Sequence, residues 1–468
     1  MSKMNSSLNC PICKFKNIRK EFSSFNIHGR EINSQSENFD IFKCSNCGAF
    51  FLNVGIKKHY YPLLLLGVSL ISTMWFRGNF QLAAGDFLFP PGRVEEFQRT
   101  LYFWDHLSLG SANFRILAYA MPFGIYFVLI KVVGISLVIS EKILLYFLFV
   151  SMGLSMYFLT ITLVKENFRY LAGFLAALLF MFNPGTTVVD AMRWPYIVFL
   201  PLILGLYIKG LNEKRDLKYI FIFCLLWFVT STASLINIRG GLYAWMTIFI
   251  YFVFFLLITK KKGDAKYAFI FSVTLFFCWE LLTMFCLLPI FINIFKIIQS
   301  VTSAYQAIGF DWMDAYKLNS VHLSDAFRLI GFWGFDNSYK GYPYVYWSAV
   351  YKTPFFILIG SLFPILAYSA LLFIRKQSDY TKKHLLFFGI ITVFGFFIMM
   401  GSLNPLNLLF AKYIPFFVTL FSLPYSFGGL FVVLGFSVLA GFSIAWLFNN
   451  SLKGIKNKYL KLISVALY

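Results

Sequence analysis

The sequence predicts a polytopic, all-α membrane protein of about ten helical spans behind a small N-terminal domain. Three observations predict it. Hydrophobic residues make up 59% of the chain and charged residues 13%, with a mean hydropathy of +0.71. Ordinary soluble domains carry roughly 45–50% apolar and about 25% charged residues. The apolar residues recur in blocks of about 17–25, the length that crosses a bilayer. The net charge of +21 lies between those blocks, as in Lys260-Lys261-Lys262, where cytoplasmic connectors hold it. That placement argues against nucleic-acid binding, which needs the charge gathered on one face or along one helix.

Residues 1–59 are polar and lack the apolar run of a signal peptide, so the N-terminus is expected in the cytoplasm. The transmembrane part is expected over 60–468, its first span at about 60–76 and a first external loop at about 77–141. Inside that loop, 116–139 is apolar but holds Pro122, Gly124, Lys131 and Gly134. As a full span it would place Lys214-Arg215, Lys260–Lys262 and Arg375-Lys376 outside. As an interfacial or re-entrant segment it keeps all of them inside, which the positive-inside rule favours. The remaining spans are then expected at about 142–164, 170–183, 194–210, 219–235, 242–259, 267–292, 351–374, 384–402 and 428–448. A basic tail, Lys453 to Lys461, places the C-terminus inside. A second external loop is expected at about 293–350. It holds Asp311, Trp312, Asp314, Asp325, Trp333, Asp336, Tyr342, Tyr344 and Trp347, and is longer than a connector needs to be.

The N-terminal domain carries Cys10-Pro-Ile-Cys13 and Cys44-Ser-Asn-Cys47. Each pair can present two thiolates, and four complete the tetrahedral shell of structural zinc. A zinc ribbon is therefore expected over 1–59, closed to catalysis and suited to docking a cytoplasmic protein partner. The separation of the pairs exceeds the common spacing of about 15–20 residues, and disulfides or a redox pair are the alternatives, disfavoured in a reducing compartment. Cys224, Cys278 and Cys286 fall in expected spans and read as small buried hydrophobes.

The first external loop is the most informative. It reads Gly85-Asp86-Phe87-Leu88-Phe89-Pro90, then Arg99, Trp104-Asp105, Gly110, Asn113 and Tyr119-Ala120-Met121-Pro122-Phe123-Gly124. An acid just beyond the first span can take a proton from an acceptor hydroxyl. The order of these pieces resembles the first external loop of the α-(1→3)-arabinofuranosyltransferase family, large GT-C enzymes of envelope glycan assembly. Phe182-Asn183-Pro184, Arg193-Trp194-Pro195 and Leu200-Pro201-Leu202 extend the resemblance to about residue 260. It implies a GT-C-like fold and a polyprenyl-phosphate-linked sugar as donor. It also implies a glycan, lipid or protein acceptor and an outer-loop Asp as base, the position that Asp86 occupies. Those relatives are far longer, carry carbohydrate-binding modules and lack the cysteine pairs, so the reaction class carries over and arabinose does not.

Each candidate has a plainer reading. Asp86 could be a solvated loop acid or a helix cap. Asp105 is a second candidate base or a partner of a nearby Arg, and His106 a proton shuttle or an ordinary loop residue. Trp104 would line the substrate site. Arg193, Arg239 and, more weakly, Arg115 and Arg328 stand at outer boundaries, where Arg suits a lipid phosphate or simply snorkels. Glu280 within a span points to a transport path or to a bond with a neighbouring helix. Two other functions stay open: a transporter or flippase of a lipid-linked or anionic substrate, and a non-catalytic scaffold or sensor built on the zinc ribbon. The residues leave a divalent metal at the outer site open.

Overall fold

The structure, a computed structural model, describes residues 18–22, 39–44, 50–54, 60–76, 78, 83–84, 87–88, 104–105, 111–112, 125–165, 168–183, 195–213, 219–226, 238–282, 311–331, 335, 338–339, 342–343, 348–414 and 417–454. Strands β1 (Ile18–Phe22), β2 (Phe39–Cys44) and β3 (Phe50–Val54) form an antiparallel meander. Three short hairpins follow: β4 (Ala83–Ala84) with β5 (Phe87–Leu88), β6 (Trp104–Asp105) with β7 (Ser111–Ala112), and β8 (Ser338–Tyr339) with β9 (Tyr342–Pro343). The other described residues are mostly helical, consistent with the all-α membrane part expected from the sequence; the meander lies in the N-terminal domain, and the hairpins are two-residue pairings.

Helix α1 (Tyr60–Ser69) tightens into a 3-10 helix over Leu70–Trp75. Hydroxyls drive the change: Ser69 donates to the Leu65 carbonyl at 2.7 Å, Ser72 to Ser69 at 2.8 Å and Thr73 to Leu70 at 2.7 Å. Helix α2 (Ile125–Val133) has 9 residues, about 14 Å of length, against a hydrocarbon core of about 30 Å. Gly134 at φ +75° then turns the chain, and the Tyr126 hydroxyl donates to the Ser140 carbonyl. Ser136 caps α3 (Leu137–Leu163), accepting from the Ile139 amide. This helix starts inside the stretch expected as loop 77–141, because the polar triplet Ser140-Glu141-Lys142 hides its first turn in the sequence.

There follow α4 (Arg169–Met181), α5 (Pro195–Glu213), α6 (219–226), α7 (Ile238–Ile258) and α8 (Lys262–Leu282). Short helices α9 (Trp312–Leu318), α10 (Leu323–Phe327) and α11 (Ser348–Tyr351) lead to α12 (Pro354–Leu372) and α13 (Asp379–Met399). Short α14 (Pro405–Tyr413) and α15 (Phe417–Leu420) precede the long α16 (Pro424–Gly454). By length and apolarity 5 of the described helices can cross a membrane: α3, α8, α12, α13 and the Pro424–Asn450 part of α16. Tyr60–Trp75, α4 and Tyr243–Ile258 are apolar but shorter. The chain is a membrane protein. The ten crossings expected from the sequence exceed what these criteria give for the described residues.

Helix α16 is the axis. Of its most apolar stretch 89% is buried, against 22% for α8 and 17% for α12, so those two lie at the rim. Helices α13, α12, α4 and α3 all pack on α16. Because lipid tails are as apolar as leucine, such packing rests on close van der Waals contact instead of water exclusion. Glycine supplies it. A Cβ added to Gly395 of α13 would lie 2.7 Å from the Gly428 carbonyl oxygen of α16, and one on Gly435 would lie 3.0 Å from the Phe388 carbonyl oxygen and collide with the Thr392 hydroxyl. Gly441 meets α3 and α4 in the same way, at Thr160 and Ala176.

Helix ends sort the charges. The Tyr380 hydroxyl at the head of α13 donates to the Thr162 carbonyl at the foot of α3 (3.3 Å), and Tyr267 of α8 donates to Gly210 of α5 (3.2 Å). Phe373 beyond α12 stacks on Trp446 of α16. One end of the bundle therefore gathers Lys165, Arg169, Lys209, Lys260–Lys262, Arg375, Lys376, Lys382 and Lys383. Just inside it, His384 (4% exposed) faces Tyr251 at 3.2 Å through Nε2 and the Tyr380 carbonyl at 2.8 Å through Nδ1. Tyr207 and Ser272 share a 2.6 Å hydrogen bond on the adjoining pair α5 and α8.

Two outcomes are expected. Gly395→Ala forces α13 and α16 apart, and overpacking of this kind typically costs about 1–3 kcal/mol; thermal unfolding in detergent should fall accordingly, while Gly263→Ala, with open space around it, should not shift it. Lys165 has its pKa lowered by partial burial and then by Arg169 and Lys209. A lowered lysine pKa leaves more neutral amine at a given pH, so acylation of Lys165 should reach half its limiting rate below the usual lysine range. Arg169→Gln should move that midpoint upward.

Candidate functional site

The end opposite the lysines carries Asp311, Asp314 and Asp325 on the segment 311–331. Asp311 caps α9 by accepting from the Met313 amide at 2.9 Å, and Asp314 pairs with Lys317 at 3.3 Å on an exposed surface. The Val321 amide donates to the Met399 carbonyl at the end of α13 (3.0 Å), and Ser402 donates to the Ser320 hydroxyl through its amide at 2.8 Å. Gly401 turns beneath that contact at φ +48°, where a Cβ would strike Ser320.

Phe327 sits among Tyr368, Phe396 and Phe436 with ring centroids at 6.1, 6.2 and 6.2 Å, so α10 is pinned by α12, α13 and α16 at once. Leu329 adopts φ 58°, unfavourable for a residue with a branched side chain. It is held there by burial to 1% exposure and by the Tyr425 hydroxyl, which donates to its carbonyl at 2.8 Å. Tyr316 is buried beside Phe417, and burial pushes its phenol pKa up. The segment is a fixed platform.

That arrangement answers several candidates. Arg328 is 11% exposed at its side chain, donates to Asp325 at 2.7 Å and to the Tyr351 carbonyl at 3.3 Å. Its guanidinium ties α10 to α11, which is the plain reading of both residues. Asp311 and Asp314 are a cap and a surface pair. Trp333, Asp336, Tyr344 and Trp347 lie outside the described residues, while Tyr342 begins β9 and pairs with Tyr339 of β8. Glu280 is half-buried on the rim helix α8, next to Trp279, whose ring packs on Trp245 at 4.9 Å.

Two short strand pairings lie between α1 and α2 in the chain. Ala84 of β4 pairs with Phe87 of β5, which brackets Gly85-Asp86 in the sequence. Asp105 of β6 pairs with Ser111 of β7, and Trp104 with Ala112, bringing the W-D pair alongside Ser111-Ala112. Asp86, His106, Arg115 and Arg193 lie outside the described residues, as do Cys10, Cys13 and Cys47, whereas Cys44 ends β2. Arg239 lies in the first turn of α7. That turn stands at the acid-bearing end, since the Tyr243 hydroxyl donates to the Phe427 carbonyl and accepts from the Phe431 amide at 3.0 Å at the head of α16.

Glu141, absent from the candidates offered by the sequence, is fully buried at 0% exposure near the head of α3. Beside it Lys142 lies over the Phe76 ring, 5.3 Å from its centroid. The signal for it was a polar Ser-Glu-Lys triplet opening an apolar run. His384 is the corresponding omission at the lysine end.

No known protein family matches the sequence, and no curated protein does. Among solved structures the chain is similar to the arabinofuranosyltransferase AftD from Mycobacteria, determined by single-particle cryo-EM, with 13% identity and a TM-score of 0.48. The match covers 83% of this chain and 27% of that one, so the chain spans little more than a quarter of AftD. Likeness at this level leaves function to be argued from the site itself.

Removing the Arg328 tether is expected to loosen the platform. Hydrogen bonds to charged groups contribute about 1.5–3 kcal/mol, so Arg328→Met should lower stability by that order and speed proteolysis within 331–347. Asp314→Asn, which breaks an exposed pair, should leave both unchanged.

Proposed function

We propose that the protein is a membrane glycosyltransferase, moving a sugar from a polyprenyl-phosphate donor to a glycan, lipid or protein acceptor at the outer membrane face. The observation that carries this reading is the ordered set of Gly85-Asp86, Pro90, Arg99, Trp104-Asp105, Gly110, Asn113, Tyr119 and Pro122-Phe123-Gly124 directly after the first span. The pairing of Asp105 with Ser111 and the placing of Arg239 at the acid-bearing end support it. With the lysine end inside, as the positive-inside rule prefers, both termini are cytoplasmic and the acid-bearing end faces out.

Asp86 acts as general base. Its carboxylate takes the acceptor hydroxyl proton as that oxygen bonds to the sugar's anomeric carbon. The bond from that carbon to the phosphate oxygen breaks, and its electron pair leaves on the polyprenyl phosphate. Arg239, Arg193 and Arg115 hold the phosphate through the guanidinium fork and stabilise its growing charge. Trp104, Asp105 and His106 contact the sugar or the acceptor.

General-base catalysis contributes about 10²–10⁴-fold. Asp86→Asn should therefore lose at least about a hundredfold in transfer from labelled polyprenyl-phosphate sugars in membrane extracts, with expression unchanged. Full activity in that variant removes Asp86 from the mechanism. Lipid-linked glycan pools that stay unaltered when the protein is deleted would reject the transferase reading altogether.

A further inference from the structure

The transferase reading makes no use of the lysine end, where helix ends set three cations side by side. Lys165 follows the last residue of α3 by two positions, at most about 7 Å of chain, so its ammonium stays near the end of a helix able to cross a membrane. It lies over the Tyr380 ring, 5.6 Å from the centroid, and the Tyr380 hydroxyl in turn donates to the Thr162 carbonyl of α3. Lys383 is exposed three residues beyond Tyr380 on α13, a spacing that makes them neighbours on the helix surface. The fields of Lys165 and Lys383 meet at His384. Arg169 opens α4 directly after Phe168, which is buried against Phe448 of α16 at 5.6 Å between centroids. Its guanidinium donates to the Tyr170 hydroxyl at 2.6 Å and lies over that ring. Rings, and not carboxylates, position Lys165 and Arg169.

The neighbouring cations are neutralised. Lys209 lies 3.6 Å from Glu213, and Lys382 lies 3.5 Å from Asp379. Among the described residues Lys165, Arg169 and Lys383 have no carboxylate at ion-pair distance. Burial, then Arg169 and Lys209, hold the Lys165 pKa below its ordinary value, with Glu213 acting the other way. An anion bound among the three relieves that repulsion. The chemistry of the trio suits a phosphate, since the Arg fork matches its oxygens and each Lys adds a point charge. Height selects the source of the phosphate. Tyr rings such as Tyr170 and Tyr380 favour the level of the lipid headgroups, and basic pockets between helices at a membrane surface are suited to anionic headgroups.

We propose that Lys165, Arg169 and Lys383 bind the phosphate of an anionic phospholipid headgroup where α3 ends and α4 and α13 begin. The test uses the full chain purified in detergent and equilibrated with equal amounts of phosphatidylglycerol and phosphatidylcholine, the retained lipid being read by native mass spectrometry. One phosphatidylglycerol per chain is expected, with phosphatidylcholine lost on washing. A cation at an anionic headgroup contributes about fivefold in binding, so Lys165→Gln with Lys383→Gln should weaken retention by about twenty-five-fold. Lys260→Gln with Lys261→Gln and Lys262→Gln, which removes more charge at the same end, should leave it unchanged. Inorganic phosphate at millimolar concentration should not displace the lipid. Equal retention of the two lipids, equal loss in the two multiple variants, or displacement by inorganic phosphate would each overturn the proposal, the last by assigning the trio to a soluble anion. A measurement on wild type serves if a variant fails to fold: phosphatidylglycerol should slow acylation of Lys165 and Lys383 severalfold more than that of Lys260–Lys262. Uniform slowing of all five lysines would reject a defined site.

Discussion

Two backbones touch where Gly395 of α13 meets Gly428 of α16, and the rest of the bundle is arranged around that contact. Between helices in lipid there is no water to exclude, so attraction must come from atoms brought close together. Side chains at these positions would hold the axes apart and forfeit dispersion along the whole interface. Glycine at Gly395, Gly428 and Gly435 allows the two helices to run together, and Gly441 allows α16 to continue against α3 and α4. The price in helix propensity is small in a bilayer, where an unpaired backbone group costs far more than a flexible residue. Pro201 and Pro364 inside α5 and α12 are tolerated for a related reason: neighbouring helices and local adjustments can satisfy what a proline frees.

The platform at the acid-bearing end follows from the same pair of helices. Where α13 stops, its free Met399 carbonyl takes the Val321 amide, and where α16 starts, Tyr425 takes the Leu329 carbonyl. Helix ends leave backbone polar groups to be satisfied; the segment 311–331 satisfies one for α13 and accepts the Tyr425 hydroxyl at the head of α16. Phe327 adds the apolar anchor between the two. The segment is held rigid by those two hydrogen bonds and by Phe327, and the left-handed Leu329 is the local strain that this anchoring sustains.

Much of this was legible in the sequence, and the remainder was obscured for definite reasons. Apolar blocks and lysine clusters located the helices and their shared basic end, since both are properties of composition that packing does not change. Boundaries were less visible. Ser136 and Ser378 start α3 and α13 as side-chain caps, so polar residues that hydropathy assigns to loops belong to first turns. Asp311, Asp314 and Asp325 looked like a functional acidic loop because composition cannot distinguish a cap or an i,i+3 partner from a free carboxylate. Glu141 was passed over for the opposite reason: a single acid at the head of an apolar run resembles a boundary marker until its burial is known. The ordered pieces from Gly85 to Gly124 remain a reading of residue type and order, to which the structure adds two short strand pairings.

The two ends of the bundle differ in what they can do to an anion. At the lysine end many cations share the field, and Lys165 has its own charge disfavoured by burial and by Arg169 and Lys209, so no single residue there selects a ligand. At the opposite end Asp325 occupies Arg328 and Asp314 lies against Lys317. A guanidinium without such a partner would exert disproportionate influence there, because a cation's pull on a phosphate is weakened by every carboxylate that shares it. Arg239 is carried to that end by the first turn of α7, and in the proposed reaction it is the residue offered to the donor phosphate. In the proposed reaction the carboxylates of Asp314 and Asp325 hold Lys317 and Arg328, which leaves the donor phosphate to other cations at that end.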